Sequence, residues 1–184
     1  MAVIGRFQPF HNGHLHLIRQ ILKETDEVVV VVGSAQLNYT FENPFTAGER
    51  VLMIRAALLE GGIDLSRMII IPIVDEEDNA LWFPKLVSML PSFSALYSGN
   101  RLVATLVSSH LEVKSPKFVN KKRFNGTYIR CKMMRGEKWS HLVSKTVFDM
   151  ISTIGGVDRL RILAKHEKSR ERKNGRFKSN YFSK

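Results

Sequence analysis

The stretch Ala2-Val3-Ile4-Gly5-Arg6-Phe7-Gln8-Pro9-Phe10-His11-Asn12-Gly13-His14 joins a short apolar strand to the start of an amphipathic helix. Leu15, Ile18, Ile21 and Leu22 give that helix its apolar face. The spacing places His11 and His14 on the same side of the first helical turn. A helix start presents unpaired backbone N–H groups and a partial positive charge. Imidazoles and N–H donors converging there make a phosphate site, and point to chemistry on a nucleoside triphosphate. A metal-binding pair is the competing reading, but no third ligand of suitable spacing accompanies the two histidines. The flanking Gly5, Arg6 and Gly13 weigh against a helix start with no chemistry at all.

Working outward, Val28–Val32 is five valines in a row between Asp26-Glu27 and Gly33. Such a run reads as a strand buried on both faces. Met68–Val74 repeats the pattern, and Ala95–Tyr97 and Leu111–Val113 are weaker cases. Helical patterns lie between them. Thr46 and Glu49 form a capping box, with Val51, Ile54 and Leu58 continuing at helical spacing. A third helix is expected over Asn79–Leu90, and a fourth capped by Asn100 and running through Ser108. This alternation predicts an α/β, Rossmann-like, doubly wound parallel sheet with helices on both faces. Ligands of such sheets bind beyond the carboxyl ends of the strands, at the switch point, where Gly5–His14 falls. Residues 117–126 read as a basic loop. From Thr127 to about Ala164 the chain reads as helices broken near Gly136 and Gly155-Gly156, a helical C-terminal subregion on the same sheet.

The 184 residues suit one domain, expected over residues 1–164, with a basic tail over residues 165–184. No stretch approaches the ~20 apolar residues of a membrane span, so no membrane partner is expected. The start lacks the features of a signal peptide, and Cys131 is the single cysteine. A disulfide within the chain is thereby excluded, and a cytoplasmic location is the expectation. Net charge is +11, of which residues 164–184 carry +6. A basic body suits anionic substrates; the tail, with Phe177, Tyr181 and Phe182 among its cations, could touch nucleic acid or be a solvated terminus.

Two further segments carry chemistry. In Asn125-Gly126-Thr127-Tyr128-Ile129-Arg130, Asn125 and Thr127 are N-cap types, Gly126 allows close backbone approach, and Arg130 offers a planar fork for phosphate. An ordinary capped helix with a surface arginine is the plainer alternative. In Asp75-Glu76-Glu77-Asp78-Asn79-Ala80-Leu81-Trp82, carboxylates, an amide and an indole follow a buried strand. Trp82 could stack on a planar ring and Asn79 could read an amide; an acidic loop with a core tryptophan is the alternative.

Together these segments resemble the archaeal type of nicotinamide-nucleotide (NMN) adenylyltransferase, within the HxGH nucleotidyltransferase superfamily. The residues carrying the resemblance are Gly5–His14, Gly33–Gln36, Asn43–Arg50, Asn79–Trp82, Tyr97–Asn100, Gly126-Thr127 with Arg130, and Gly136–Trp139. Gly156–Leu160 extends it to about residue 164. The His-x-Gly-His element fixes only the superfamily, whereas Asn-Pro-Phe-Thr-Ala-Gly-Glu-Arg and Asn-Ala-Leu-Trp fix the subtype. There are departures. Asn125 stands where the family usually has Ser, with the phosphate contact expected to survive in altered geometry. The first strand is short, so an edge contact is expected to be missing. The loop from Gly33 to Glu49 has no Lys or Arg, so Arg50 alone could supply a cation there.

The resemblance implies transfer of AMP from ATP to the 5′-phosphate of NMN, giving NAD and pyrophosphate. It implies His11, His14, Arg6 and Arg130 as catalytic residues. The same resemblance places Gly5, Arg6, Phe7, Gln8, His11, His14, Gly99, Asn100, Asn125, Thr127, Tyr128 and Arg130 around ATP. Around NMN it places Phe10, Gly33, Ser34, Asp75, Asn79 and Trp82. Mg2+ is expected to arrive on ATP, with no all-protein metal site, and the assembly to be a homo-oligomer, a hexamer by the resemblance. His16 is expected at the surface. The alternatives are another enzyme of the superfamily, such as a pantetheine-phosphate adenylyltransferase or a cytidylyltransferase, and a nucleic-acid-binding protein acting through the tail. A class I aminoacyl-tRNA synthetase fragment fits less well, for want of a Lys-Met-Ser-Lys-Ser-like loop.

Overall fold

The computed structural model describes residues 1–117, 120 and 122–173, with the side chains of residues 170–173 excepted. In chain order the elements are β1 (Ala2–Gly5), α1 (Asn12–Ile21), β2 (Val28–Val32), α2 (Ala47–Glu60), β3 (Met68–Pro72) and α3 (Asn79–Met89). There follow β4 (Ala95–Tyr97), α4 (Arg101–Val107), β5 (Glu112–Lys114), α5 (Gly126–Arg135), α6 (Lys145–Thr153) and α7 (Gly156–Lys173). All five strands run parallel in the order β3-β2-β1-β4-β5. The order reverses direction between β1 and β4, the switch point at which such sheets open a crevice.

The valine run explains the layering. Successive side chains of a strand point to opposite faces. Val28, Val30 and Val32 join one core with Ile18, Ile21, Met53, Ile54, Leu58, Ile129 and Val147. Val29 and Val31 join another with Leu86, Leu96, Val103 and Val107. Helices α1, α2, α5, α6 and α7 thus cover one face, and α3 and α4 the other. Apolar residues of the C-terminal helices, Met133, Ile151 and Leu160 among them, belong to the first core together with Phe7 and Phe10.

β1 is short, yet it sits at the centre of the sheet. All four of its residues pair with β2, Gly5 reaching Val32. Against β4 only Ala2 and Val3 pair, so the carboxyl ends of β1 and β4 part beyond Val3. β3 stops at Pro72, two residues before the expected Val74, although Ile73 N still donates to the Val32 carbonyl at 2.9 Å. Thr46 caps α2 reciprocally with Glu49, at 3.2 and 2.9 Å. α4 is capped by Asn100, whose Oδ1 accepts from Leu102 N at 3.0 Å. α5 already begins at Gly126, inside the segment expected to be a loop.

At the C-terminus α7 passes the expected tail boundary at Ala164 and continues to Lys173. Glu167 accepts the Phe41 N–H at 2.8 Å, so this part of the expected tail is tied to the sheet domain. The rest of the tail, residues 174–184, lies outside the described residues. No described helix is long and apolar enough to cross a membrane.

Candidate active site

The loop from β1 to α1 is held from three directions. Gln8 is buried, and its side-chain amide bridges the backbone of Phe45, donating to the carbonyl at 2.8 Å and accepting the N–H at 3.0 Å. Arg130, also buried, donates to the Gln8 carbonyl at 2.8 Å and to Thr127 Oγ1 at 3.2 Å. Arg50 is fully buried, and its NH1 donates to the carbonyls of Arg6 and Gly33 at 3.0 and 2.8 Å. Its NH2 reaches the Ser34 carbonyl at 3.1 Å. Burial first, and the charge of Arg6 second, lower its guanidinium to about 10, so it stays charged near neutral pH. The guanidinium of Arg50 is therefore committed to the carbonyls at the ends of β1 and β2. Phe7 and Ser34 each hold a φ of 51°, a left-handed geometry that non-glycine residues rarely adopt and that clusters at functional sites.

Gly13 and Gly126 are where these pieces meet. A Cβ on Gly13 would lie 2.7 Å from Phe124 Cβ and 3.1 Å from His11 Nδ1. On Gly126 it would lie 2.9 Å from the Gln8 carbonyl oxygen. Only glycine lets α5 approach the β1–α1 loop this closely.

His11 and His14 stack face to face, with ring centroids 3.6 Å apart and planes 13° apart. Phe7 meets His14 edge-on at 4.8 Å and Phe10 lies at 5.3 Å. His14 Nδ1 accepts the His11 backbone N–H at 3.3 Å. That bond places the His14 proton on Nε2, the nitrogen left to donate. Buried His11 Nδ1 has no hydrogen-bond partner among the described residues, which is how a group reserved for a ligand looks. Burial lowers the His11 imidazole to about 4. Burial, with the charge of His11 next, takes His14 well below the ordinary histidine value. Both rings are neutral near pH 7 and act as N–H donors.

Above the pair a cavity of about 630 Å³ opens at the carboxyl ends of the strands. Among the residues proposed from sequence, Gly5, Arg6, Phe7, His14, Gly33, Ser34, Asp75, Asn79, Trp82, Gly99 and Asn100 line it. β1 stands between two flanks: Gly33, Ser34, Asp75, Asn79 and Trp82 on the β2–β3 side, Gly99 and Asn100 on the β4 side. Arg6 is half exposed, with its guanidinium 3.6 Å from the Glu42 carboxylate.

Other proposed residues stand back from the wall. Phe10, expected beside NMN, is 1% exposed and packs against His14 within the first core. Gln8 and Arg130 brace the loop from behind. Asn125 Oδ1 accepts from Thr127 N at 2.9 Å and Tyr128 N at 3.3 Å, so the first N–H groups of α5 are already capped. Tyr128 is exposed, with Lys132 Nζ 5.2 Å from its ring centroid. His16 is exposed, as expected. Sequence reasoning passed over Glu76, Ser98 and the apolar lining of Leu17, Leu102 and Leu106. Glu76 and Ser98 sit inside segments already singled out. Leu17 gave no signal, because it belongs equally to the helix's core face.

Comparison with known proteins agrees with this geometry. Residues 2–132 match the family model described as cytidylyltransferase-like. The nicotinamide-nucleotide adenylyltransferase of Pyrobaculum aerophilum is 47% identical over 162 residues, covering 87% of this chain and 91% of that protein. That of Methanococcus vannielii is 44% identical over 162 residues, covering 88% and 92%. A bifunctional NMN adenylyltransferase/ADP ribose pyrophosphatase from Francisella tularensis, crystallised with AMP and a manganese ion, superimposes with a TM-score of 0.78 at 24% identity. The alignment takes in 93% of this chain but only 54% of that protein, so the chain spans about half its length. The chain belongs to the cytidylyltransferase-like family and, within it, to the nicotinamide-nucleotide adenylyltransferases.

Proposed function

We propose that this chain transfers the adenylyl group of ATP to the 5′-phosphate of NMN, giving NAD and pyrophosphate. A phosphate oxygen of NMN bonds to the α-phosphorus as the bond to the β-phosphate oxygen breaks, and pyrophosphate leaves with that electron pair. The attacking phosphate is already anionic near neutral pH, so the reaction makes little demand for a base. It needs alignment, and donors where charge builds on the α-phosphate and the leaving group.

The observation that carries this reading is the stacked histidine pair at the end of β1, with the His14 tautomer fixed and His14 on the cavity wall. His14 Nε2–H, joined by His11, donates to the α- to γ-phosphates as charge develops. Arg6 reaches the joint between the two nucleotides, exchanging Glu42 for phosphate. Arg130 adds a buried positive charge under the loop, felt at the phosphates even while its hydrogen bonds hold Gln8 and Thr127. Gly99 and Asn100 border the adenosine. Asp75, Asn79 and Trp82 receive the pyridine ring on the opposite flank.

Among the described residues no three His, Cys, Asp or Glu side chains group to hold a metal ion. In this reading Mg2+ arrives on ATP, where it would neutralise phosphate charge. The test is a product assay with purified protein, ATP, Mg2+ and NMN, resolved by chromatography. NAD and pyrophosphate should form one to one; an absence of NAD overturns the reading.

A further inference from the structure

Between β2 and α2, residues 39–46 lie against α7 on one side and against the β1–α1 loop on the other. We propose that Arg159 of α7 is a positioning residue for adenylyl transfer, fixing through this segment the place of Arg6 and of the loop that carries His14. The inference rests on the reading above, in which that loop serves the phosphates.

On the α7 side Arg159 is the anchor. Its NH1 donates to the Pro44 carbonyl at 3.1 Å. NH1 and NH2 also donate to the two carboxylate oxygens of Glu49, at 2.7 and 2.8 Å. The two side chains are 18% and 21% exposed, so water screens this pair only in part. A bidentate fork of this kind fixes orientation as well as distance. The same guanidinium stands 5.1 Å from the centre of the Tyr39 ring, and Tyr39 holds a left-handed φ of 51°. Such a backbone persists only where its surroundings hold it. At the start of α7, a Cβ on Gly156 would lie 3.0 Å from the Phe45 ring, and further along Glu167 accepts the Phe41 N–H.

On the other side the same segment holds the site. Asn43 Oδ1 accepts from Arg6 at 3.5 Å, and the Glu42 carboxylate pairs with Arg6 at 3.6 Å. Phe45 is the residue whose backbone Gln8 bridges. Thr46 and Glu49 cap α2, and the next residue, Arg50, holds the carbonyls of Arg6 and Gly33. Arg159 itself is not among the residues lining the cavity, so its effect on turnover passes through the segment. A displacement of about 1 Å at the reacting groups can cost on the order of 10²-fold in rate.

The experiment compares Arg159→Ala with Glu60→Ala. Glu60 ends α2 about 20 Å from its start and accepts from Lys145 N, Thr146 N and Thr146 Oγ1, so it too ties α2 to the C-terminal helices, but away from the site. Both variants should melt a few degrees below wild type. Only Arg159→Ala should lower kcat, about tenfold, with KM for NMN changed by less than about twofold. Nuclear magnetic resonance supplies a readout that needs no turnover: the ring signals of His11 and His14 should shift in Arg159→Ala and stay in place in Glu60→Ala. Unmoved histidine signals in Arg159→Ala, kcat within about twofold of wild type, or an equal loss in Glu60→Ala overturns the proposal. Should Arg159→Ala fail to fold, Glu49→Gln takes its place, because glutamine keeps the capping box while giving up the charge that Arg159 grips. It should lower kcat about threefold at constant KM, and wild-type turnover in it overturns the proposal as well. If wild type forms no NAD while the histidine signals move as expected, it is the adenylyl-transfer reading that has failed.

Discussion

The two faces of the sheet are built differently. On one, α1, α2, α5, α6 and α7 enclose a continuous core, and the β1–α1 loop is pinned by Gln8, Arg50 and Arg130. On the other, α3 buries only Leu86 and α4 only Val103 and Val107, while Leu81, Val87, Met89 and Leu102 stay exposed. In the function proposed, the phosphate machinery belongs to the first, and Asn79 and Trp82 of the acceptor flank to the second. Rate depends on donors held where charge develops, whereas ring recognition tolerates a looser wall. Substitutions on the pinned side should therefore act on kcat, and those on the loose side on KM.

The largest effect is expected at His14. His14→Ala should lower kcat on the order of 10²–10³-fold, the cost of losing one preorganised donor, while the thermal midpoint moves by only a few degrees. Steady-state kinetics beside a melting curve checks both. A loss below tenfold would move the phosphate chemistry off the pinned side.

The same histidines should make the pinned side acid-labile. An unfolded histidine titrates near 6.5, whereas burial holds folded His11 at about 4 and moves His14 the same way. Below pH 6.5 the unfolded chain takes up protons that the folded chain refuses. Stability present above that pH is thus lost progressively as the pH falls toward 4. For His11 alone the loss between pH 7 and 5 is about 2 kcal/mol. Urea unfolding at pH 7, 6 and 5 should show it, and His11→Gln should flatten the slope. An equally steep slope in the variant assigns the acid lability elsewhere.

How much of this was legible in the sequence follows from the range of the interactions. The valine run and the His-x-x-His spacing are local patterns, and both appear where expected. The Thr46–Glu49 and Asn100 caps likewise depend on residues within one turn. The partners of Phe10 and Arg50 are hidden for the opposite reason, because they come from far along the chain. Nothing near Arg50 in sequence shows that Arg6, 44 residues away, supplies one of its carbonyl partners. Phe10 neighbours the histidines in sequence, yet it shares one core with residues of α5, α6 and α7. The continuation of α7 past Ala164 is of the same kind, since Glu167 finds Phe41 126 positions away.

On the loose side Trp82 is only partly buried, against the second core. Trp82→Ala should raise KM for NMN about tenfold, the worth of one stacking contact, with kcat changed far less. A fall in kcat at constant KM would mean that the acceptor flank shares in transition-state alignment, and the contrast between the faces would no longer divide the chemistry.

The smallest effect concerns Asn125, where the resemblance leads to an expectation of serine. Its Oδ1 caps both Thr127 N and Tyr128 N, and serine is an equivalent cap. Asn125→Ser should therefore leave stability within about 0.5 kcal/mol, while Asn125→Ala costs about 1 kcal/mol. The two variants separate capping from substrate contact. If Asn125 acts only on the helix, KM for ATP stays constant in Asn125→Ser. If its amide also donates to the triphosphate, KM for ATP rises while the melting temperature does not. That outcome would make α5 part of the phosphate site through a side chain, and not only through the closeness that Gly126 permits.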